Sequence, residues 1–158
     1  MLSLQLFISQ ISGPEIMFAC TILIALALYK KHDTKDFYTI LFTSITAMFV
    51  TYSIKYILNI PRPSDMLIVA SDPRFPSGHA TMSAIVMSLG IYYAHRHIKN
   101  KYLRYIVYFF AVMWYVIVSY SRLYLRAHYP IDVIVGGAIG VASTILVLKI
   151  FKHFHYYR

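Results

Sequence analysis

Five long apolar runs, at about 16–29, 37–60, 80–94, 103–120 and 131–151, occupy most of this chain and restrict the folds open to it. A backbone that crosses lipid must satisfy its own hydrogen bonds, which a helix of roughly 20 apolar residues does and an isolated strand does not. The expected architecture is therefore all-α and integral to a membrane: a bundle of five to six transmembrane helices forming a single domain over residues 1–158. A mean hydropathy of +0.60 with only 13% charged residues excludes an ordinary soluble domain. The first and third runs are short for a span and need tilt or flanking residues to complete them. Ahead of them, Leu2–Ile11 reads as an interfacial helix or a truncated first span, ended by the Gly13-Pro14 break. With no basic leader region or small-residue cleavage site, the start is expected to be mature protein, with the first full run as an uncleaved anchor.

The net charge of +9 does not point to nucleic acid, because the basic residues punctuate apolar runs instead of forming a stripe interleaved with aromatics. Lys30, Lys31, Lys35, Arg96, Lys99, Lys101, Arg104, Lys149, Lys152 and Arg158 gather at one set of run ends, the side expected to be cytoplasmic together with the C-terminus. His32, His95, His97, His153 and His155 accompany them as solvated flank residues. Tyr29, Tyr92, Tyr93, Tyr102, Tyr105, Tyr156 and Tyr157 lie near run ends, where an amphipathic ring favours the interface. Cys20, alone and inside a run, allows no internal disulfide. Gly136 and Gly140 form a small-xxx-small pair suited to close helix approach.

The opposite ends hold Lys55, Arg62, Arg74, Arg122 and Arg126, in loops of unusual composition. Cations close to histidines and an acid at a membrane face are costly and mark a functional site. Lys55 precedes Arg62 by seven residues, and Pro61 and Pro63 stop the helix so that the guanidinium can turn back over the bundle end. Arg122 supplies a third cation, and together the three suit a dianion such as phosphate. In Pro76-Ser77-Gly78-His79, Ser77 reads as an N-cap whose helix points free N–H groups outward, a ready anion site, although Pro-Ser-Gly alone is equally a plain turn and cap. His128 and Asp132, four apart around Pro130, can meet in the first turn of the last helix. Such a pair is either a structural contact or a nucleophile oriented by a carboxylate.

The three stretches resemble the signature of the type 2 phosphatidic acid phosphatase family, K-x6-RP, PSGH and SR-x5-H-x3-D, with no position departing from it between Lys55 and Asp132. The resemblance implies that Lys55, Arg62, Ser77, the Gly78 amide and Arg122 hold a phosphate. It implies further that His128 attacks phosphorus, Asp132 orients it, and His79 protonates the leaving oxygen, with no cofactor. No metal is expected, because neither histidine has the carboxylate-rich surroundings of a magnesium site. The implied substrate is a membrane lipid phosphate or diphosphate, such as undecaprenyl diphosphate, phosphatidylglycerol phosphate, lipid A 1-phosphate or phosphatidate. The implied place is the periplasmic or extracellular face of the cell (inner) membrane, with no required protein partner. Arg74 and Arg126 are candidates for headgroup contacts, and Asn59 and Tyr124 weaker ones. Two other readings remain: a vanadate-dependent haloperoxidase, which the composition disfavours, and a non-catalytic binder or carrier of a phosphorylated lipid, which has no need of two histidines. The family usually has six spans, and residues before about 37 carry none of its motifs.

Overall fold

A computed structural model describes residues 1–30 and 34–156, with the side chains of 27–30 and 153–156 left aside. Tyr29, Lys30, Lys31, His32, His153, His155, Tyr156, Tyr157 and Arg158 therefore lie outside the described side chains. Among the described residues the chain forms α1 (Leu2–Ile11), α2 (Pro14–Lys30), α3 (Thr34–Leu58), α4 (Gly78–His97), α5 (Lys101–Tyr124) and α6 (Pro130–Tyr156), with no strand. The all-helical expectation holds.

By length and composition, α3, α5 and the stretch Pro130–Lys152 of α6 are each long and apolar enough to cross a membrane. The Gly13-Pro14 break bends α1 against α2 by 46°, and the two together qualify as one broken span. The third apolar run becomes α4, which is less apolar because His79, His95, Arg96 and His97 stand at its ends and its middle is rich in Gly, Ala, Ser and Thr. Those small residues suit its place at the centre, packed against α6 and α5 above all and also touching α2 and α3. Ala80, Met82, Ala84 and Ile85 on α4 are fully buried. Polar contacts tie the interior together, with Thr51 Oγ1 of α3 3.2 Å from Thr81 Oγ1 of α4 and Ser44 donating to Thr21 at 3.4 Å. The outward face of α5 instead exposes Tyr102, Tyr105, Phe109, Phe110, Val116 and Tyr120, an apolar surface for lipid.

The glycines of α6 bring it close to α4. A Cβ on Gly136 would stand 2.5 Å from the Ser77 carbonyl oxygen, and one on Gly140 2.5 Å from that of Thr81 and 2.8 Å from the Ala84 Cβ. Backbone cannot yield there as a flexible side chain would. Gly140→Val is expected to cost about 1–3 kcal/mol or more through overpacking. A lowered unfolding temperature in detergent would register it, and a variant as thermostable as the parent would contradict the packing.

Both ends of α5 are built from local sequence. Asn100 caps it by accepting from the Tyr102 and Leu103 amides at 2.9 and 3.2 Å. At the far end Arg126 takes φ 52°, its amide donates to Leu123 O, and the Ala127 amide donates to Arg122 O at 3.2 Å. That pair of bonds is a Schellman stop, filled here by arginine where glycine is commoner. It turns the chain back so that residues 127–129 cross the mouth of the bundle and lead into α6.

Candidate active site

The three sequence stretches converge at one end of the bundle. They line a cavity of about 490 Å³ whose walls include Lys55, Arg62, Gly78, His79, Arg122 and His128. Lys55 lies in the last turn of α3, 3% exposed. The helix ends at Leu58, where Asn59 takes φ 44° and its amide bonds to Lys55 O. The Pro61-Arg62-Pro63 segment then carries Arg62 over the bundle end, where NH1 donates to Ala127 O at 3.0 Å and stands 3.4 Å from His128 Nε2.

The loop from Asn59 to Ser77 is anchored through its backbone: Leu67 N to Leu125 O at 2.9 Å, Arg74 N to Ile60 O at 2.9 Å and Ser77 N to Asp132 O at 3.0 Å. Ser77 caps α4 through Oγ, which accepts from the Ala80 amide at 3.4 Å, and it is wholly buried. Gly78 and His79 of the first α4 turn face the cavity. A Cβ on Gly78 would meet Pro14 at 3.2 Å, so its small size serves the close approach of α2.

His128 and Asp132 are both buried, and Asp132 Oδ2 lies 3.4 Å from His128 Nδ1. That gap is long for a hydrogen bond, and Nδ1 has no hydrogen-bond partner in the ligand-free site. Catalytic contacts commonly tighten only when substrate is bound. Nε2 meets the Arg62 guanidinium, which only donates, so the lone pair belongs on Nε2 and the ring proton on Nδ1, facing Asp132.

Burial, the largest influence, pushes the His128 pKa down; the Asp132 contact opposes it, and Arg62, Arg122 and Lys55 add to the depression, leaving it at about 4. The imidazole is thus neutral above that pH and protonated below it. The acid limb of kcat/KM assigned to this group should fall as pH drops through about 4, not near the 6.5 of a free histidine. A His128 titration near 6.5 in the ligand-free protein, followed by NMR, would contradict this.

The carboxylate of Asp132 is held by Arg74, whose NH1 donates to Oδ1 at 2.6 Å and Oδ2 at 2.8 Å, and by the Tyr129 amide at 2.9 Å. Arg74 also lies over the Tyr129 ring, 4.6 Å from its centroid. The sequence made Arg74 a headgroup candidate; the structure places it against Asp132, outside the cavity lining. Arg126, the other candidate, is 60% exposed and pairs with Asp65 at 2.9 Å outside the cavity. Asn59 and Tyr124 do not line the cavity.

Sequence reasoning missed what α1 and α2 contribute. Ser9 Oγ accepts from Arg122 NH1 at 2.6 Å, and its carbonyl stands 3.2 Å from His79 Nε2. Ser121 donates to Gln5 O at 3.0 Å, fixing α1 to α5. Pro14 and Glu15 of α2 complete the wall, with Tyr52 Oη donating to Glu15 at 3.4 Å. No motif marks these residues; a serine and a glutamate flanking the Gly13-Pro14 break were the faint available signal. Among the described residues, no three His, Cys, Asp or Glu side chains come together as metal ligands.

The model of the PAP2 superfamily matches residues 36–156. The chain belongs to this family. Its fold is similar to that of a crystal structure described as the first transmembrane PAP2 type phosphatidylglycerolphosphate phosphatase from Bacillus subtilis. The TM-score is 0.84 at 22% identity, over 99% of this chain and 79% of that one. It is also similar to Aquifex aeolicus LpxE, with a TM-score of 0.61 at 22% identity over 92% and 86% of the two chains. No curated protein matches the chain. Family and fold bear out the expectation of a membrane-embedded enzyme of the phosphatase class.

Proposed function

We propose that this PAP2 protein removes a terminal phosphate from a membrane lipid through a phosphohistidine at His128. The observation that carries this reading is the convergence of Lys55, Arg62 and Arg122 with His79 and His128 on one cavity, at the end of a bundle whose flanks suit lipid. The cations neutralise the phosphate, and the α4 N-terminus adds the Gly78 amide. His128 Nε2 attacks phosphorus in line as the bond to the lipid oxygen breaks, and His79 gives that oxygen a proton. Water then attacks phosphorus as it returns a proton to His79, the P–N bond breaks, and the imidazole leaves neutral while inorganic phosphate departs. Positioning and charge neutralisation suffice for phosphoryl transfer of this kind.

Lys35, Arg96, Lys101, Arg104, Lys149 and Lys152 lie at the helix ends opposite the site, which supports a cytoplasmic placement for that end and an outward-facing cavity. Substrates of matching chemistry are phosphatidylglycerol phosphate, phosphatidate, undecaprenyl diphosphate and lipid A 1-phosphate. The test is phosphate release from each of these in detergent with EDTA present. Release from at least one is expected; no release from any, or release only after a divalent metal is restored, would overturn the proposal.

A further inference from the structure

Two of the three cations read as phosphate ligands already hold an anion of the protein's own. Asp72 Oδ2 stands 2.9 Å from Lys55 Nζ, and Oδ1 stands 2.7 Å from Arg62 NH2. The loop reinforces this grip through its backbone, since Arg62 Nε donates to Asp72 O at 2.8 Å and Lys55 donates to Pro73 O. Lys55 and Arg62 are 3% and 10% exposed, whereas Asp72 is 40% exposed at the cavity wall, so the cations are the buried partners and the acid the solvent-facing one. Burial raises the Asp72 pKa, but the hydrogen bonds from Lys55 and Arg62 outweigh it and keep the carboxyl below its ordinary value, hence ionised at neutral pH. Arg122 is engaged differently, by the neutral Ser9 hydroxyl, with its buried Nε unpartnered.

We infer that Asp72 is a specificity-determining residue, a tethered carboxylate that occupies the Lys55–Arg62 half of the phosphate site and yields it only to a dianion. The exchange follows from charge. A terminal phosphate brings close to two negative charges at neutral pH and more acceptor oxygens than a carboxylate. Swapping Asp72 for it therefore gains Coulombic stabilisation. A phosphodiester, the linkage of ordinary membrane phospholipids, brings one charge and gains nothing over the carboxylate already present. In a bilayer where phosphodiester headgroups vastly outnumber terminal phosphates, such a competitor keeps the site from filling with the wrong lipid. After hydrolysis the same carboxylate can return to the cations and displace inorganic phosphate.

The inference rests on the reading of Lys55 and Arg62 as phosphate ligands, so its test measures binding as well as turnover. Orthovanadate, at a pH alkaline enough to make it a dianion, is titrated into detergent-solubilised wild type and Asp72→Asn by calorimetry, and phosphatidylglycerol micelles are then added as a competing phosphodiester. The isosteric variant should bind vanadate about tenfold tighter, the size expected for losing a charge-assisted competitor partly screened by solvent. Phosphatidylglycerol should displace vanadate from the variant and not from the wild type. Asp72→Glu, which restores the charge, should return both properties toward wild type. Equal or weaker vanadate binding by a folded Asp72→Asn, checked by its unfolding temperature, would overturn the inference and make Asp72 a support for the cations, leaving the proposed function standing. Failure of both proteins to bind vanadate would sink the phosphate-site reading itself and this inference with it.

Discussion

His128→Ala is expected to lower phosphate release from the preferred lipid by on the order of 10⁴-fold or more, because in the proposed mechanism the step it removes is the formation of the covalent intermediate. The protein should remain folded, since His128 lies in the segment between α5 and α6, and the Schellman stop and the Ser77–Asp132 backbone bond do not involve its side chain. The informative measurement is intermediate trapping. Wild type quenched during turnover of a labelled lipid should carry phosphate that is labile to acid and stable to alkali, as a P–N bond is, and the variant should carry none. Turnover at the parental rate, or trapped phosphate of the same lability in the variant, would assign the nucleophile elsewhere.

The second large effect belongs to Asp132. Asp132→Asn keeps the size of the side chain, but it removes the charge that stabilises the imidazole and leaves Arg74, only 17% exposed, without its carboxylate. An asparagine can also present its NH2 group to Nδ1, favouring the wrong tautomer for attack through Nε2. A fall in kcat of about 10²–10⁴-fold is expected, with KM for the lipid little changed, because the phosphate ligands are not touched. Arg74→Gln should act in the same direction but less, about tenfold, since the Tyr129 amide still holds Oδ2. A variant that raised KM and spared kcat at either position would mean that the residue contacts substrate instead of positioning His128.

The contrast between these two residues shows what the sequence could disclose. The meeting of Lys55, Arg62, Gly78, His79, Arg122 and His128 on one cavity was legible because the spacings within each stretch are fixed by local geometry, a helix end, a cap and a first turn, whereas Ser77 is buried as the α4 cap and does not line that cavity. Helix class and the break at Gly13-Pro14 were legible for a similar reason, since apolar run length and Pro/Gly punctuation act locally. Arg74 was misplaced because its partner lies 58 residues further along, and no spacing rule links a loop arginine to a distant carboxylate. Ser9 and Glu15 escaped notice because they act through the packing of α1 and α2 on the mouth of the bundle. The short third run was read as a span completed by tilt or flanking residues; as α4 it owes its central place to small side chains, which let α6 approach through Gly136 and Gly140.

The Ser9 contacts carry a consequence for the shape of the cavity. The family match begins at residue 36, yet the hydroxyl that meets Arg122 and the carbonyl that meets His79 come from residue 9. Part of the cavity wall is thus drawn from a segment that lies outside the family match. A change in that helix, in its length or in Ser9 would therefore reshape the cavity wall while the eleven motif positions stay as they are.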